Sequence, residues 1–162
     1  MFKVVDNFLP KDMFEKIKVE IEGLPWHYCP ITGTANDTSN FYFFHYLYTN
    51  DKVSSDRYFH TILMPVLGNL NFKYLHRAKL NLYTKKDKHV KTDYHVDAYI
   101  PHTVCLYSLN TCNGYTEFED GKKVHSRENS MVIFSGHIQH RSINQTDENK
   151  RMNLNINLKD VL

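Results

Sequence analysis

The sequence predicts a mainly β fold with helices in its N-terminal part, an α+β chain whose core is a double-sheet jelly roll. Short segments of alternating apolar and polar residues fill the C-terminal half, with turn signals about every ten residues. Helical periodicity is confined to the N-terminal half. The length of 162 residues suits a single domain, 1–162, in which 1–76 supplies supporting and substrate-side elements and 77–158 forms the core.

The first predicted elements are a strand and a helix. A strand over 2–5 ends at Asp6-Asn7, and the helix starts after Leu9-Pro10. Gly23, followed by Pro25, ends the helix. The apolar residues of this helix recur at helical spacing, which indicates that one of its sides packs on a sheet: Met13, Phe14, Ile17 and Ile21.

A dense aromatic run at 41–48 lies between two polar loops, 32–40 and 50–56. A short strand is predicted before them at 26–29. The aromatic run itself predicts a half-buried strand, because aromatic side chains suit a pleated surface. The alternative is that the run forms a wall of a substrate pocket.

Residues 58–70 predict a helix that is kinked or broken at Pro65. From Arg77 onward the periodicity changes to two. The sequence around 113–114 and 120–121, Asn-Gly and Asp-Gly, predicts turns between strands. The predicted strands of this half are 77–84, 103–110, 115–118, 131–134, 137–144 and 151–158.

Composition excludes some functions and sets the expected compartment. The formal net charge is +2, from 20 basic and 18 acidic residues, so there is no strong electrostatic footprint for nucleic acid and none for a membrane surface. The three cysteines are odd in number and include no CxxC pair, which predicts free thiols in a reducing compartment. No stretch approaches the roughly 20 apolar residues of a membrane span, and the N-terminus lacks an apolar signal core. We therefore expect a soluble cytoplasmic protein.

A candidate metal site begins at His95 and Asp97, two residues apart, so that both side chains leave the same face of an extended segment. A His-x-Asp pair alone is weak evidence, because 10 histidines and 11 aspartates in 162 residues give nearly one such pair by chance. His140 would complete a set of two histidines and one carboxylate, which suits non-haem Fe(II) and leaves coordination positions open. Arg151 lies eleven residues beyond His140, a spacing that predicts the next strand of a hairpin.

The ordered set of motifs resembles the 2-oxoglutarate/Fe(II)-dependent dioxygenases, in particular their prolyl 4-hydroxylase-like branch. The similarity extends over 77–158 and is weaker over 2–26. Each segment is common by itself, whereas the ordered set is specific. The matching segments are VDNFL at 5–9, LNLY at 80–83, YHVD at 94–97, LYSLN at 106–110, GYTEF at 114–118, FSG at 134–136, QHRS at 139–142 and RMNLN at 151–155.

The resemblance implies a hydroxylase on a double-stranded β-helix, or cupin-like, core. Its metal ligands would be His95, Asp97 and His140, holding Fe(II). Arg151 would bind the far carboxylate of 2-oxoglutarate, because a guanidinium is a planar and always charged fork. O2 would take the remaining open coordination position of the metal. The catalytic set would consist of His95, Asp97, His140 and Arg151. The carboxylate at Asp97 argues against the halogenating variant, in which a small residue vacates that position.

The resemblance also implies further contacts with the co-substrate. Tyr83 would donate its hydroxyl to 2-oxoglutarate, and Asn81 shares the same face of the predicted strand. Asn153 lies two residues after Arg151, where some relatives have Ser or Thr. Its amide could donate a hydrogen bond in their place.

Other polar residues compete for roles near this site. His137 is the rival third ligand, but on a strand it would point away from the face of His140. His102, five residues past Asp97, is the best remaining histidine for a role near the substrate. Arg141 could bind a substrate anion or could equally face solvent.

The sequence leaves the substrate open among a prolyl peptide or protein, a nucleic-acid base and a small metabolite. A base would stack on the aromatic run, and the loops at 30–40, 49–57 and 85–93 are the expected rim of the substrate pocket. Rival functions are oxidative demethylation or hydroxylation of a nucleic-acid base, a cupin-like metal-dependent isomerase or lyase, and a non-catalytic binding module. An anion-binding arginine at 151 argues against the isomerase, because a site that needs only a metal has no use for it.

Overall fold

The computed structural model describes residues 2–34 and 40–161 and contains two antiparallel sheets. The larger, the major sheet, has the strand order β1-β9-β6-β11-β5-β3-β2, with β4 paired to β3. The smaller, the minor sheet, has the order β10-β7-β8. The strands are β1 (Phe2–Val5), β2 (His27–Cys29), β3 (Tyr42–Thr49), β4 (Lys52–Val53), β5 (Phe72–Thr84), β6 (Thr103–Ser108), β7 (Tyr115–Phe118), β8 (Lys123–His125), β9 (Ser130–Ser135), β10 (His140–Ile143) and β11 (Lys150–Val161).

The helices lie in the N-terminal half, as predicted. Helix α1 spans Lys11–Glu22, and a second helical segment consists of α2 (Asp56–Tyr58), a π-helix (Phe59–Leu63) and α3 (Met64–Leu67). The predicted break at Pro65 is observed as a change of hydrogen-bond register. Met64 N–H donates to Phe59 O across the π turn, and Pro65 follows in the first turn of α3, where a missing N–H is tolerated.

The two faces of the major sheet have opposite character. One face packs against the helices and forms the main apolar core, with Phe14 and Ile62 against Leu80 and Leu154. The other face looks toward the minor sheet and is polar along β5 and β11. Its buried side chains alternate with the apolar ones, as period-two patterning requires: Asn81, Arg151, Asn153, Asn155 and Asn157.

A second, smaller apolar cluster closes one end of the space between the sheets. It joins β6 and β9 of the major sheet to β7 of the minor sheet, and Phe2 stacks on Phe118 with 4.6 Å between ring centroids. The members of this cluster are Val104, Leu106, Phe118, Val132 and Phe134. The part of the space between the sheets that polar side chains line is therefore available for a functional site.

The double-stranded β-helix class predicted from the sequence is confirmed, but several boundaries differ. Strand β5 begins at Phe72, five residues earlier than predicted, and β10 begins at His140 because 136–139 form a turn. Strands β4 and β8 were not anticipated. The N-terminal part also does more than support the core, since β1 pairs with β9 and β3 pairs with β5 inside the major sheet.

The predicted hairpin between His140 and Arg151 is wrong. Strand β10 pairs with β7 in the minor sheet, whereas β11 pairs with β5 and β6 in the major sheet. The segment 144–149 therefore crosses from one sheet to the other. Asn144 Nδ2 and Gln145 Nε2 anchor it by donating to the backbone oxygens of Thr84 and Tyr83, at 3.1 and 3.0 Å.

Among the described helices, none has the length and apolar character needed to cross a bilayer.

Candidate metal centre and co-substrate site

Two histidines face each other across a short backbone pairing. His95 N donates to His140 O and His140 N donates to His95 O, each at 3.0 Å, so the segment before Asp97 extends the minor sheet beyond β10. In an antiparallel pair, residues directly opposite each other project to the same side. The two imidazole rings accordingly lie 4.8 Å apart between centroids.

Hydrogen bonds with the backbone orient both rings. His95 Nδ1 lies 3.2 Å from Asp93 O, and His140 Nδ1 lies 3.2 Å from Ile138 O. Each Nδ1 is therefore assigned the proton, which leaves Nε2 as the ligand atom. Burial lowers the pKa of His140, an effect that the nearby Asp97 carboxylate partly opposes, so the neutral imidazole is favoured.

Asp97 supplies the carboxylate and crosses between the sheets to reach its partners. Its Oδ2 accepts hydrogen bonds from Asn155 Nδ2 at 2.9 Å and Asn157 Nδ2 at 3.0 Å, and its Oδ1 lies 3.3 Å from a guanidinium nitrogen of Arg77. Burial alone would raise the pKa of Asp97. The nearby His140 imidazole, the positive charge of Arg77 and the two amide donors outweigh burial and lower this pKa well below its usual range.

These three side chains form one potential metal-binding group. Their ligand atoms all lie within 4.8 Å of one another, and His95 Nε2 lies 4.0 Å from Asp97 Oδ1. Two neutral imidazoles and one ionised carboxylate on one side suit Fe(II) and leave positions open on the other. The donor set and its oriented rings thus fit the metal that the sequence resemblance implies.

Arg151 is a buried guanidinium without an acidic partner among the described residues. Its side chain donates to Ser142 Oγ at 2.6 Å and Thr116 Oγ1 at 3.2 Å, both neutral hydroxyls. Its Nε is buried and has no hydrogen-bond partner, and only 3% of the residue is exposed. A buried cation is costly unless an anion pairs with it. This position is therefore suited to receiving a carboxylate.

Two neighbours shape the position of Arg151. The Tyr83 ring lies beneath the guanidinium, with 5.6 Å between Arg151 Cζ and the ring centroid. Burial raises the pKa of Tyr83, partly offset by Arg151, so its hydroxyl stays protonated and can donate. Gly114 leaves room for the side chain, because a Cβ there would lie 2.8 Å from Arg151 Cδ.

Asn81 and Asn153 pair with each other in the register between β5 and β11. Asn81 Nδ2 donates to Asn153 Oδ1 at 2.9 Å, while Asn81 Oδ1 is buried without a partner. Asn81 lines the cavity beside the metal-binding group, whereas Asn153 is not among the lining residues.

A cavity of about 170 Å³ joins the metal-binding group to the neighbourhood of Arg151. The loop after β2 contributes Thr32 and Gly33, and Thr34 donates to Asp93 Oδ2 at 2.7 Å, which links two of the three predicted rim loops. The third, 49–57, instead borders a neighbouring groove that shares Arg77 with the cavity. The remaining lining residues are Tyr42, Arg77, Lys79, Asn81, Tyr83, Thr92, His95, Val96, Asp97, Ser142 and Asn155.

Sequence reasoning missed two cations in this cavity, Arg77 and Lys79. Lys79 Nζ donates to Tyr42 OH at 3.1 Å, and burial, with the charge of Arg77, lowers the pKa of Lys79 to about 8. The sequence contained a signal for both residues. Alternation with apolar residues along the strand places them on the same face as Asn81 and Tyr83. Tyr42 shows that the aromatic run reaches the cavity, while His45 and Leu47 on the opposite face are buried.

The other residues that competed for roles are outside the metal-binding group and the cavity lining. His137 is in the turn before β10, so the strand argument against it does not apply, and it is outside the metal-binding group. The His102 ring packs on Gly136, where a Cβ would lie 2.1 Å from the ring. Arg141 pairs with Glu117 and lies over Tyr94, 4.2 Å from the ring centroid, away from the cavity.

No protein-family model and no curated protein matches this sequence. Solved structures do match the fold. A prolyl-4-hydroxylase of Pseudomonas putida has a TM-score of 0.63 at 15% identity, covering 98% of this chain and 92% of its own. An oxidoreductase of the 2OG-Fe(II) oxygenase family from Burkholderia pseudomallei has a TM-score of 0.70 at 12% identity, with 99% and 86% covered.

A third similar structure is a prolyl hydroxylase from Trichoplax adhaerens in complex with a hypoxia inducible factor oxygen degradation domain peptide fragment. Its TM-score is 0.62 at 11% identity, covering 97% of this chain and 83% of that one. The resemblance predicted from the sequence is thus confirmed at the level of the fold: the chain has the architecture of prolyl 4-hydroxylases and other 2-oxoglutarate/Fe(II) oxygenases.

Proposed function

We propose that this protein is an Fe(II)- and 2-oxoglutarate-dependent dioxygenase that hydroxylates its substrate. The observation that carries the proposal is Arg151, a buried guanidinium without a carboxylate partner among the described residues, in contact with the lining of the cavity that contains the metal-binding group. A metal-only isomerase has no need for such a cation. The fold shared with known oxygenases supports the same activity.

His95, Asp97 and His140 would hold the metal. When bound, Fe(II) and 2-oxoglutarate would supply the oxidative chemistry, in which O2 is consumed, 2-oxoglutarate is decarboxylated to succinate and the substrate gains a hydroxyl group. The ionised Asp97 carboxylate and the Nε2 atoms of the two imidazoles need no proton loss before they bind a cation.

Arg151 would bind the far carboxylate of 2-oxoglutarate with its planar fork, and Ser142 and Thr116 hold that fork in place. Tyr83 would add a hydroxyl donor from the floor of the site. Asn81 and Asn153 would complete the co-substrate contacts that we propose.

The free thiols of Cys29, Cys105 and Cys112 support the cytoplasmic location that we also propose.

The metal and the co-substrate site do not determine the class of substrate. A prolyl peptide is the analogue suggested by the fold, and oxidation of a nucleic-acid base or a small metabolite is an alternative. Fold similarity alone does not choose a reaction, because one fold hosts many sites. The residues of the cavity favour one of these classes.

The direct test is anaerobic binding of Fe(II) and 2-oxoglutarate, followed through the visible metal-to-ligand charge-transfer band. We expect the band in the wild type. Arg151→Met should weaken 2-oxoglutarate binding at least tenfold and leave metal affinity unchanged, because Arg151 contacts none of the three ligands. The matched control is Arg127→Met, since Arg127 pairs with Asp6 at the protein surface, outside the cavity.

Two outcomes would contradict the proposal. If the wild type binds neither metal nor 2-oxoglutarate, the protein is not such a dioxygenase. If Arg151→Met binds 2-oxoglutarate as tightly as Arg127→Met does, the assignment of Arg151 is wrong.

A further inference from the structure

We infer that the cavity contains a second anion-binding site, formed by Lys79 with Arg77 and Tyr42, and that the substrate carries a carboxylate or phosphate group that binds there. This inference rests on the proposed function, because it takes Arg151 and the metal as the site of the co-substrate. It names the chemical class of the substrate, which the fold leaves open.

Lys79 is a partly buried ammonium whose charge is not balanced by a carboxylate among the described residues. Its hydrogen-bond partner is Tyr42 OH, at 3.1 Å. Burial raises the pKa of Tyr42, so the phenol stays neutral and does not compensate the charge. The ammonium also lies 5.1 and 6.0 Å from the ring centroids of Tyr42 and Tyr46. An oxyanion at this position would supply the missing counter-charge.

Arg77 adds a second positive charge on the same side of the cavity. It lies two residues before Lys79 on β5, so both side chains project into the space between the sheets. One guanidinium nitrogen lies 3.3 Å from Asp97 Oδ1, while Arg77 Nε is buried without a hydrogen-bond partner. Asp97 is the only carboxylate among the described residues that line the cavity. Arg77 contacts that carboxylate, so Lys79 has no salt-bridge partner among the described residues.

The co-substrate does not account for this site. In the register of the sheet, Tyr83 lies opposite Arg151, and Lys79, four residues before Tyr83 on β5, lies opposite Asn155. Four residues of an extended strand span about 13 Å. This distance separates Lys79 from the carboxylate that Arg151 would bind, and the other carboxylate of 2-oxoglutarate would bind the metal, so Lys79 remains for another anion.

This charge pattern disfavours an internal prolyl residue of a peptide as the substrate. Such a residue has no charged group, and its entry would desolvate Lys79 further without pairing it. A small acid or a phosphorylated metabolite brings its own anion, and an ammonium binds either group as a point charge.

The first experiment measures anion binding without metal, in an Arg151→Met background that removes the co-substrate anion site. Inorganic phosphate and acetate are titrated while NMR follows ¹³C-labelled tyrosine rings, with Tyr42→Phe used to assign the Tyr42 signal. We expect a saturable shift of that signal with at least one of the two anions. Adding Lys79→Met should weaken this binding at least tenfold, whereas Lys52→Met, an exposed lysine outside the cavity, should leave it unchanged.

The second experiment uses the full protein with Fe(II) and 2-oxoglutarate. Lys79→Met should form the charge-transfer band at the wild-type 2-oxoglutarate concentration. Candidate substrates are then compared in matched pairs, each acid with its amide and each phosphate monoester with its alcohol, by succinate formation. We expect at least a tenfold preference in kcat/KM for the charged member, which Lys79→Met should abolish. The pair in which the charged member is preferred shows whether the substrate group bound at Lys79 is a carboxylate or a phosphate.

The outcomes separate the two proposals. Absence of the band in the wild type would overturn the proposed function. A normal band, combined with no saturable Tyr42 shift or with a shift that survives Lys79→Met, would overturn this inference alone. Weaker 2-oxoglutarate binding in Lys79→Met would also overturn it, because Lys79 would then belong to the co-substrate site. A preference for the uncharged member of each pair would also overturn the inference on Lys79.

Discussion

The ligand side chains of the metal-binding group are each fixed by a neighbour. Backbone oxygens orient the rings of His95 and His140, and the amides of Asn155 and Asn157 hold Asp97 from β11. Such supporting contacts set the direction and basicity of metal ligands. At the scale of single residues, we therefore expect the affinity for metal to depend on side chains that do not touch the metal.

Asn155→Ala should weaken Fe(II) binding about 10-fold to 100-fold, because Asp97 loses a donor that holds its carboxylate and favours its ionised form. Anaerobic metal titration measures the change. Asn153→Ala is the matched control, since its amide pairs with Asn81 and not with Asp97. Equal metal affinities in the two variants would show that the contact with Asp97 is unimportant.

The sequence predicted the three candidate ligands, which the structure brings together, but not the residues that support them. His95, Asp97 and His140 were accessible because a short spacing and a known ordered motif identify them. Asn155 and Asn157 were visible only as polar positions on the face opposite the apolar one. Their contact with Asp97 requires that carboxylate to cross from the minor to the major sheet, and no local pattern encodes the crossing.

At the scale of elements, the crossing segment 144–149 places Arg151. It takes the chain from β10 to β11, which brings Arg151 in the major sheet against Ser142 in the minor sheet. The sequence predicted the alternation of β11 correctly and its pairing with β10 incorrectly. A polar loop of this length suits a hairpin and a crossing equally well. The choice is made by distant contacts, those of Asn144 and Gln145 with β5.

Gly114→Ala should displace the Arg151 side chain. The added Cβ would lie 2.8 Å from Arg151 Cδ and 3.0 Å from Gln145 N, and the latter is backbone that cannot easily move. We expect 2-oxoglutarate affinity to fall at least tenfold while metal affinity is retained, as measured by the charge-transfer band. Gly68→Ala is the control, because its Cβ would meet only ordinary contacts, the nearest at 3.5 Å. Wild-type 2-oxoglutarate affinity in Gly114→Ala would refute this account of how Arg151 is positioned.

At the scale of the whole molecule, the major sheet separates stability from function. Its helix-covered face forms the main apolar core, and its other face forms the polar wall of the site. The sequence predicted these two faces wherever apolar and polar residues alternate strictly over a long enough strand, as in β11. It also predicted three rim loops, of which two meet at the cavity through the contact of Thr34 with Asp93, whereas 49–57 borders a neighbouring groove, because loop placement depends on such distant contacts.

Ile62→Ala in the π-helix should lower the free energy of unfolding by about 2–5 kcal/mol, the usual range for emptying a fully buried aliphatic position. Metal and 2-oxoglutarate affinities should stay unchanged under conditions where the variant is folded. Chemical denaturation and anaerobic titration measure the two effects. Val19→Ala, at a position that is 70% exposed on α1, should change neither. A large loss of metal affinity in folded Ile62→Ala would mean that the two faces are coupled.

The position of β11 within the major sheet affects how the protein folds during synthesis. It lies between β5 and β6, yet the ribosome makes it after every other described strand. Until it emerges, β5 and β6 have no shared neighbour, and β3-β5 remains separate from β1-β9-β6. The nascent chain must therefore keep two incomplete sheet halves with open edges apart from other chains. The same late strand carries Arg151, Asn155 and Asn157, so the sheet closes and its site is completed in one event.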